Sequence, residues 1–123
     1  MATPTSFKLL RNEKDVRTFA AGETIFSKGD PGDRMYAVIE GEVDIVAPPD
    51  RLLETVPPGG IFGEMALLEN CIRNASAVAR TDCRLAAVGA DRFNYLVQMT
   101  PNFALDVMRT MADRLRRQTA TNS

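Results

Sequence analysis

Ile61-Phe62-Gly63-Glu64-Met65-Ala66-Leu67-Leu68-Glu69-Asn70-Cys71-Ile72-Arg73-Asn74-Ala75-Ser76 is the segment on which the fold turns. It follows the turn sequence Val56-Pro57-Pro58-Gly59-Gly60 and leads into Ala75–Arg80, which reads as a strand. Both of its ends are therefore pinned by a sheet. Glu64 to Leu68 are helix formers, enough for one or two turns. Gly63 just before them lets backbone amides come close to a bound group, and exposed amides at a helix start favour an anion. Arg73 follows, a permanently charged fork suited to phosphate oxygens. Together, amides, arginine and carboxylate suit an anionic phosphate beside a hydroxyl that donates a hydrogen bond. Taken singly they say less: Glu64 gains from a helix dipole, and Arg73 paired with it at the surface contributes under ~1 kcal/mol.

Outward from this segment, short runs rich in Val, Ile, Phe and Tyr are punctuated by Gly22, Gly29, Gly32, Gly41, Gly59, Gly60 and Gly63. Glu42-Val43-Asp44-Ile45 alternates polar and apolar as a half-buried strand does. Glu40-Gly41 makes a tight turn between that strand and Met35–Ile39, and Lys28-Gly29-Asp30-Pro31-Gly32-Asp33 is a strong turn sequence. Further strands are expected near Glu23–Ser27, Leu52–Val56, Ala75–Arg80 and Arg84–Val88. Short strands at this spacing predict a sandwich or closed barrel of jelly-roll type.

Helices flank the barrel. Residues 6–19 read as a short helical lead-in, with Ser6 as a cap. Asp91 caps a helix carrying Phe93, Leu96 and Val97, which stops before Pro101 because the residue before proline leaves the helical region. Thr100-Pro101 starts a second helix, with a seam of Ala104, Met108, Met111 and Leu115, expected to run to about Gln118. Arg114, Arg116 and Arg117 fall in its last turn, where they read as a solvated end suited to the helix dipole. The predicted organisation is one domain over 1–123, with the barrel over about 20–89 and the C-terminal helices over 90–118.

The chain has 123 residues, 15 Lys+Arg against 16 Asp+Glu, and no histidine. A net charge of −1 offers no electrostatic footprint for nucleic acid or an anionic membrane. The longest stretch without Asp, Glu, Lys or Arg, Phe93–Leu105, falls short of the about 20 mostly apolar residues a membrane span needs. Residues 1–7 lack a secretory pattern, and Cys71 and Cys83 do not make a disulfide framework, so a cytoplasmic protein with free thiols is expected. The absence of histidine removes Ser-His-Asp and Cys-His catalysis, the usual imidazole metal ligands and the commonest general base. No metal and no cofactor are expected. A binding module leads.

FGEMALLENCIRNAS resembles the phosphate-binding cassette of the cyclic nucleotide-binding domain family, whose members include the catabolite activator protein, regulatory subunits of cyclic-AMP-dependent protein kinase and cyclic-nucleotide-gated channels. The match falls at Phe62, Gly63, Glu64, Met65, Ala66, Leu67, Leu68, Arg73, Ala75 and Ser76, and Ile72 stands where the family usually has proline. Gly22–Phe26 with Gly29-Asp30, and Met35–Val43, resemble the family's early strands and glycine turns. The resemblance implies an eight-stranded jelly-roll barrel (double-stranded β-helix), mainly β with C-terminal helices.

It also implies roles. Arg73 would bind the equatorial exocyclic oxygen of the cyclic phosphate, and Glu64 would accept from the ribose 2′-hydroxyl. Amides of Ala66 and Asn74 would donate to phosphate, Gly63 would lie near the sugar, and Phe62, Met65 and Ala75 would complete the cassette. Gln118 and Thr119 fall near where relatives reach the purine. The expectation is a stand-alone, non-enzymatic regulator that binds cyclic AMP or cyclic GMP, with cyclic AMP favoured, and signals occupancy through its C-terminal helices. Its partner would be a downstream protein or a second copy meeting the last helix, with neither nucleic acid nor membrane involved. The alternative is a ligand-free protein-interaction module on the same fold.

Overall fold

The computed structural model describes the backbone of residues 5–68 and 72–122, and the side chains of residues 7–67 and 72–117. A 3-10 helix over Thr5–Asn12 leads into eight strands: β1 Val16–Phe19, β2 Thr24–Phe26, β3 Arg34–Glu40, β4 Val43–Ala47, β5 Arg51–Val56, β6 Ile61–Phe62, β7 Ser76–Ala79 and β8 Cys83–Gly89. Helix α1, Met65–Leu68, interrupts them between β6 and β7, and α2, Ala90–Met99, and α3, Pro101–Asn122, follow them. The strands form two antiparallel sheets, ordered β1-β8-β3-β6 and β2-β7-β4-β5. This is the expected jelly roll with C-terminal helices.

Side-chain alternation explains the layering. On β3, Met35 and Ala37 face a core shared with the helices, whereas Tyr36 and Val38 face the space between the sheets. On β8, Ala86 and Val88 join the helical core, and Cys83, Leu85 and Ala87 join the inter-sheet core. Both faces are covered, which is why Met35–Ile39 reads as an unbroken apolar run rather than an alternating one. β4 lies in the other sheet and alternates as predicted, with Val43 and Ile45 packed inward. Gly41 makes the β3–β4 turn at φ +88°, where an added Cβ would lie 2.3 Å from the Asp82 carbonyl oxygen. Only glycine fits there.

Four local expectations are corrected. Val16–Phe19, read as helical, is a strand paired antiparallel with β8 in the register Val16↔Ala86 to Phe19↔Cys83. A free β8 edge outweighs weak helix propensity, a tertiary override. Asp91 lies in the first turn of α2, and the cap position is Gly89 with no side-chain cap bond. There its charge still suits the dipole. The predicted α3 seam is partly out of register: Met111 packs against the core, but Phe103 and Val107 are the buried residues, while Met108 and Leu115 are exposed. Phe103 decides this, since its ring packs 5.8 Å from Phe7 and 5.5 Å from Phe93 and so turns its side of α3 inward. Finally, α3 runs on past Gln118 to Asn122. Glu13, buried, receives two 2.7 Å hydrogen bonds from Arg92 and thereby ties the N-terminal segment to α2.

Candidate functional site

The segment from β6 to β7 crosses from one sheet to the other, and so does the Ser27–Asp33 loop from β2 to β3. The two crossings are stitched together by their main chains. Gly29 N donates to Arg73 O and Arg73 N donates to Asp30 O, each at 2.8 Å, with an isolated bridge between Pro31 and Ile72. Gly63, at φ +76°, bends the chain away from β6 into α1, a conformation that favours glycine.

This geometry carries Arg73 inward until only 7% of it is exposed. Nη1 donates to Gly63 O at 2.9 Å and Nη2 donates to Arg34 O at 2.7 Å. Cζ lies 4.0 Å from the centre of the Phe26 ring, a cation–π distance. Phe26 itself packs with Tyr36 and Phe62, and those two rings stack at 5.4 Å. Nε is buried without any hydrogen-bond partner, the one such side-chain atom among the described residues. Burial pulls the guanidinium pKa below its usual value, against the charges of Tyr36, Asp33 and Glu64. Two neutral carbonyls do not neutralise a buried cation, and an unmet buried N–H is costly. An anion would meet both needs.

Glu64 is 6% exposed and does not pair with Arg73. Its Oε1 accepts at 2.7 Å from Nη1 of Arg114, which reaches in from α3. Arg114 Nε also donates to both carboxylate oxygens of Glu54 on β5, at 2.9 and 3.1 Å, and Nη2 donates to the Ile61 carbonyl. Burial works to lower the Arg114 pKa, but the charges and hydrogen bonds of Glu64 and Glu54 outweigh it, so the pKa is raised. Cassette, β5 and C-terminal helix thus meet at one guanidinium.

The structure brings Gly63, Glu64, Ala66 and Arg73 together, and buries Phe62 and Ala75 behind them. The Ala66 amide reaches the Gly63 carbonyl oxygen only at 3.4 Å, a weak bond. Met65 and Asn74 are exposed. The side chains of Gln118 and Thr119 lie outside the described residues, as does Cys71. Cys83 is buried in the inter-sheet core.

Arg114, Glu54, Phe26 and the Arg34 carbonyl are contributors that sequence reasoning missed. A signal for Arg114 was present: it falls on the stripe of buried Phe103 and Val107, and a charge on a buried stripe calls for partners. Among the described residues, no group of His, Cys, Asp and Glu could hold a metal ion, and no helix is long and apolar enough to cross a membrane.

Comparison with known proteins agrees with the fold. A family model described as the cyclic nucleotide-binding domain matches residues 16–100. The "CRP-like cAMP-activated global transcriptional regulator" of Mycobacterium tuberculosis is 32% identical over 93% of this chain and 53% of its own length. The crystal structure of the Thermus thermophilus catabolite activator protein superposes with a TM-score of 0.81 at 32% identity, over 96% of this chain and 57% of that one. A structure titled "A cyclic-GMP-dependent signalling pathway regulates bacterial phytopathogenesis" gives a TM-score of 0.70 at 29% identity, over 96% of this chain and 92% of that one. The chain spans about half the length of the curated bacterial regulators it matches. That family model spans well over half of the chain, which belongs to the cyclic nucleotide-binding domain family.

Proposed function

We propose that the chain is a regulatory domain that binds cyclic AMP in preference to cyclic GMP, performs no catalysis, and signals occupancy through α3. The observation that carries this reading is Arg73: a buried cation held by two carbonyls with Nε unpartnered. An equatorial phosphate oxygen supplies both the charge and the acceptor that are lacking. Glu64 accepts from the ribose 2′-hydroxyl, with Gly63 beside the sugar and the Ala66 and Asn74 amides donating to phosphate. Phe62, Met65 and Ala75 frame the cassette.

Signalling requires that the nucleotide bind two arrangements with different affinity. Arg114 supports such a link, because the carboxylate offered to the ribose is the same one that holds α3. A hydroxyl arriving at Glu64 competes for, or adds to, that bond. The exposed face of α3 carrying Leu105, Met108 and Leu115 then passes the change to a downstream protein or a second copy.

The 2′-deoxy analogue tests the role of Glu64. Losing a hydrogen bond to a charged group costs about 1.5–3 kcal/mol, so the native chain is expected to bind 2′-deoxy cyclic AMP about tenfold to over a hundredfold more weakly. In Glu64→Gln that penalty shrinks. Calorimetric titration of both ligands checks this, and equal affinities in the native chain would remove Glu64 from the site.

A further inference from the structure

Gly32 has no positive φ, unlike Gly41 and Gly63, so its backbone suits any residue and its identity needs another cause. Space supplies one. A Cβ at Gly32 would lie 2.7 Å from Nε and 2.8 Å from Cζ of Arg73, and 3.1 Å from the Ala66 Cβ. The guanidinium therefore rests against bare backbone, in the room a side chain would take. Its Nε, the atom nearest that missing side chain, is also the atom with no partner.

We infer that Gly32 is a positioning residue of the nucleotide site, glycine so that the Arg73 guanidinium can seat against the Pro31–Asp33 backbone with Nε kept for the ligand. This rests on the cyclic nucleotide reading and deepens it. The loop works in two places. Its Gly29 and Asp30 backbone groups hold the main chain of Arg73, with Lys28 N donating to Ser76 Oγ at 2.9 Å alongside. Gly32 sets where the head of that arginine goes. A methyl group there forces the guanidinium off the Gly63 and Arg34 carbonyls and crowds Ala66, whose amide belongs to the same cassette. The displaced atoms are the far end of a flexible side chain. The fold yields little, and the site is spoiled.

A double-variant cycle of Gly32→Ala and Arg73→Ala tests this, read by calorimetric titration with cyclic AMP and cyclic GMP and by thermal melts. Gly32→Ala alone is expected to weaken binding about tenfold or more while melting near the native temperature. In the Arg73→Ala background, where there is no guanidinium to displace, the same change is expected to cost far less affinity, with only the 3.1 Å approach to the Ala66 Cβ left to absorb. Native-like binding by Gly32→Ala overturns the inference. So does an equal loss in both backgrounds, or a double variant that melts far below Arg73→Ala, since either places the effect in the loop rather than in Arg73. If the native chain binds neither nucleotide, the reading of the site falls and this inference falls with it, whereas binding indifferent to Gly32→Ala overturns this inference alone.

Discussion

Arg73→Ala is expected to weaken cyclic nucleotide binding by about 2–5 kcal/mol, roughly 30-fold to several thousand-fold in affinity. The magnitude follows from burial. A phosphate entering the site gives up water, and without Arg73 it meets only amides and carbonyl oxygens, the latter repelling it. Folding suffers far less, because two effects oppose each other. The Gly63 and Arg34 carbonyls lose their donors, but the chain no longer buries a cation with an unmet N–H. Arg73→Lys is also expected to bind poorly, since one ammonium cannot serve two carbonyls and a phosphate as a planar fork does. Isothermal titration with parallel urea denaturation separates the two quantities. An unchanged dissociation constant in Arg73→Ala would end the phosphate-site reading.

Arg114→Ala is expected to cost about 3 kcal/mol of stability, the lower end of the range for breaking a buried ion pair. It leaves Glu64 and Glu54 as neighbouring carboxylates with 7% and 20% side-chain exposure and no shared cation. Arg117, 3.9 Å from Glu54, softens the loss on that side only. Adding Glu64→Gln is expected to restore part of the stability by removing one of the stranded charges. The functional consequence is separate. Saturating nucleotide is expected to raise hydrogen-exchange protection over Gly63–Ser76 and along 102–118 in the native chain, but over the cassette alone in Arg114→Ala. Protection of α3 that persists without Arg114 would place the link between site and helix elsewhere.

The parts of this molecule legible from sequence are those whose causes are local. Gly63, Glu64 and Arg73 sit in one short segment between a Pro/Gly turn and a strand, so their clustering needs no knowledge of topology. Glycine turns, short apolar runs and the two-residue alternation of β4 mark β2 to β5 and β7 to β8 for the same reason. What stayed hidden depends on packing between distant elements. Val16–Phe19 is a strand because β8 offers it an edge, not because of its own composition. α3 carries apolar residues on more than one side, so periodicity alone admits several seams, and the Phe7–Phe103–Phe93 contacts choose among them. That choice also moves Arg114 from a presumed solvated end to the centre of a three-way ion pair with Glu54 and Glu64, 60 and 50 residues away in the chain. Glu64 and Arg73, nine positions apart in one cassette, have separate partners.

Titration of the native chain with 3′,5′-cyclic AMP and 3′,5′-cyclic GMP decides whether this site takes a cyclic nucleotide. Saturable binding with a single ligand per chain is expected, tighter for cyclic AMP, with much weaker binding of noncyclic 5′-AMP, whose phosphate carries more charge and lacks closure onto the 3′-oxygen. Bound ligand must also raise the melting temperature, by a shift that keeps growing with the logarithm of ligand concentration above the dissociation constant. Neither heat nor a melting shift with either cyclic nucleotide, at concentrations where the chain is folded, would contradict the cyclic nucleotide reading of the site.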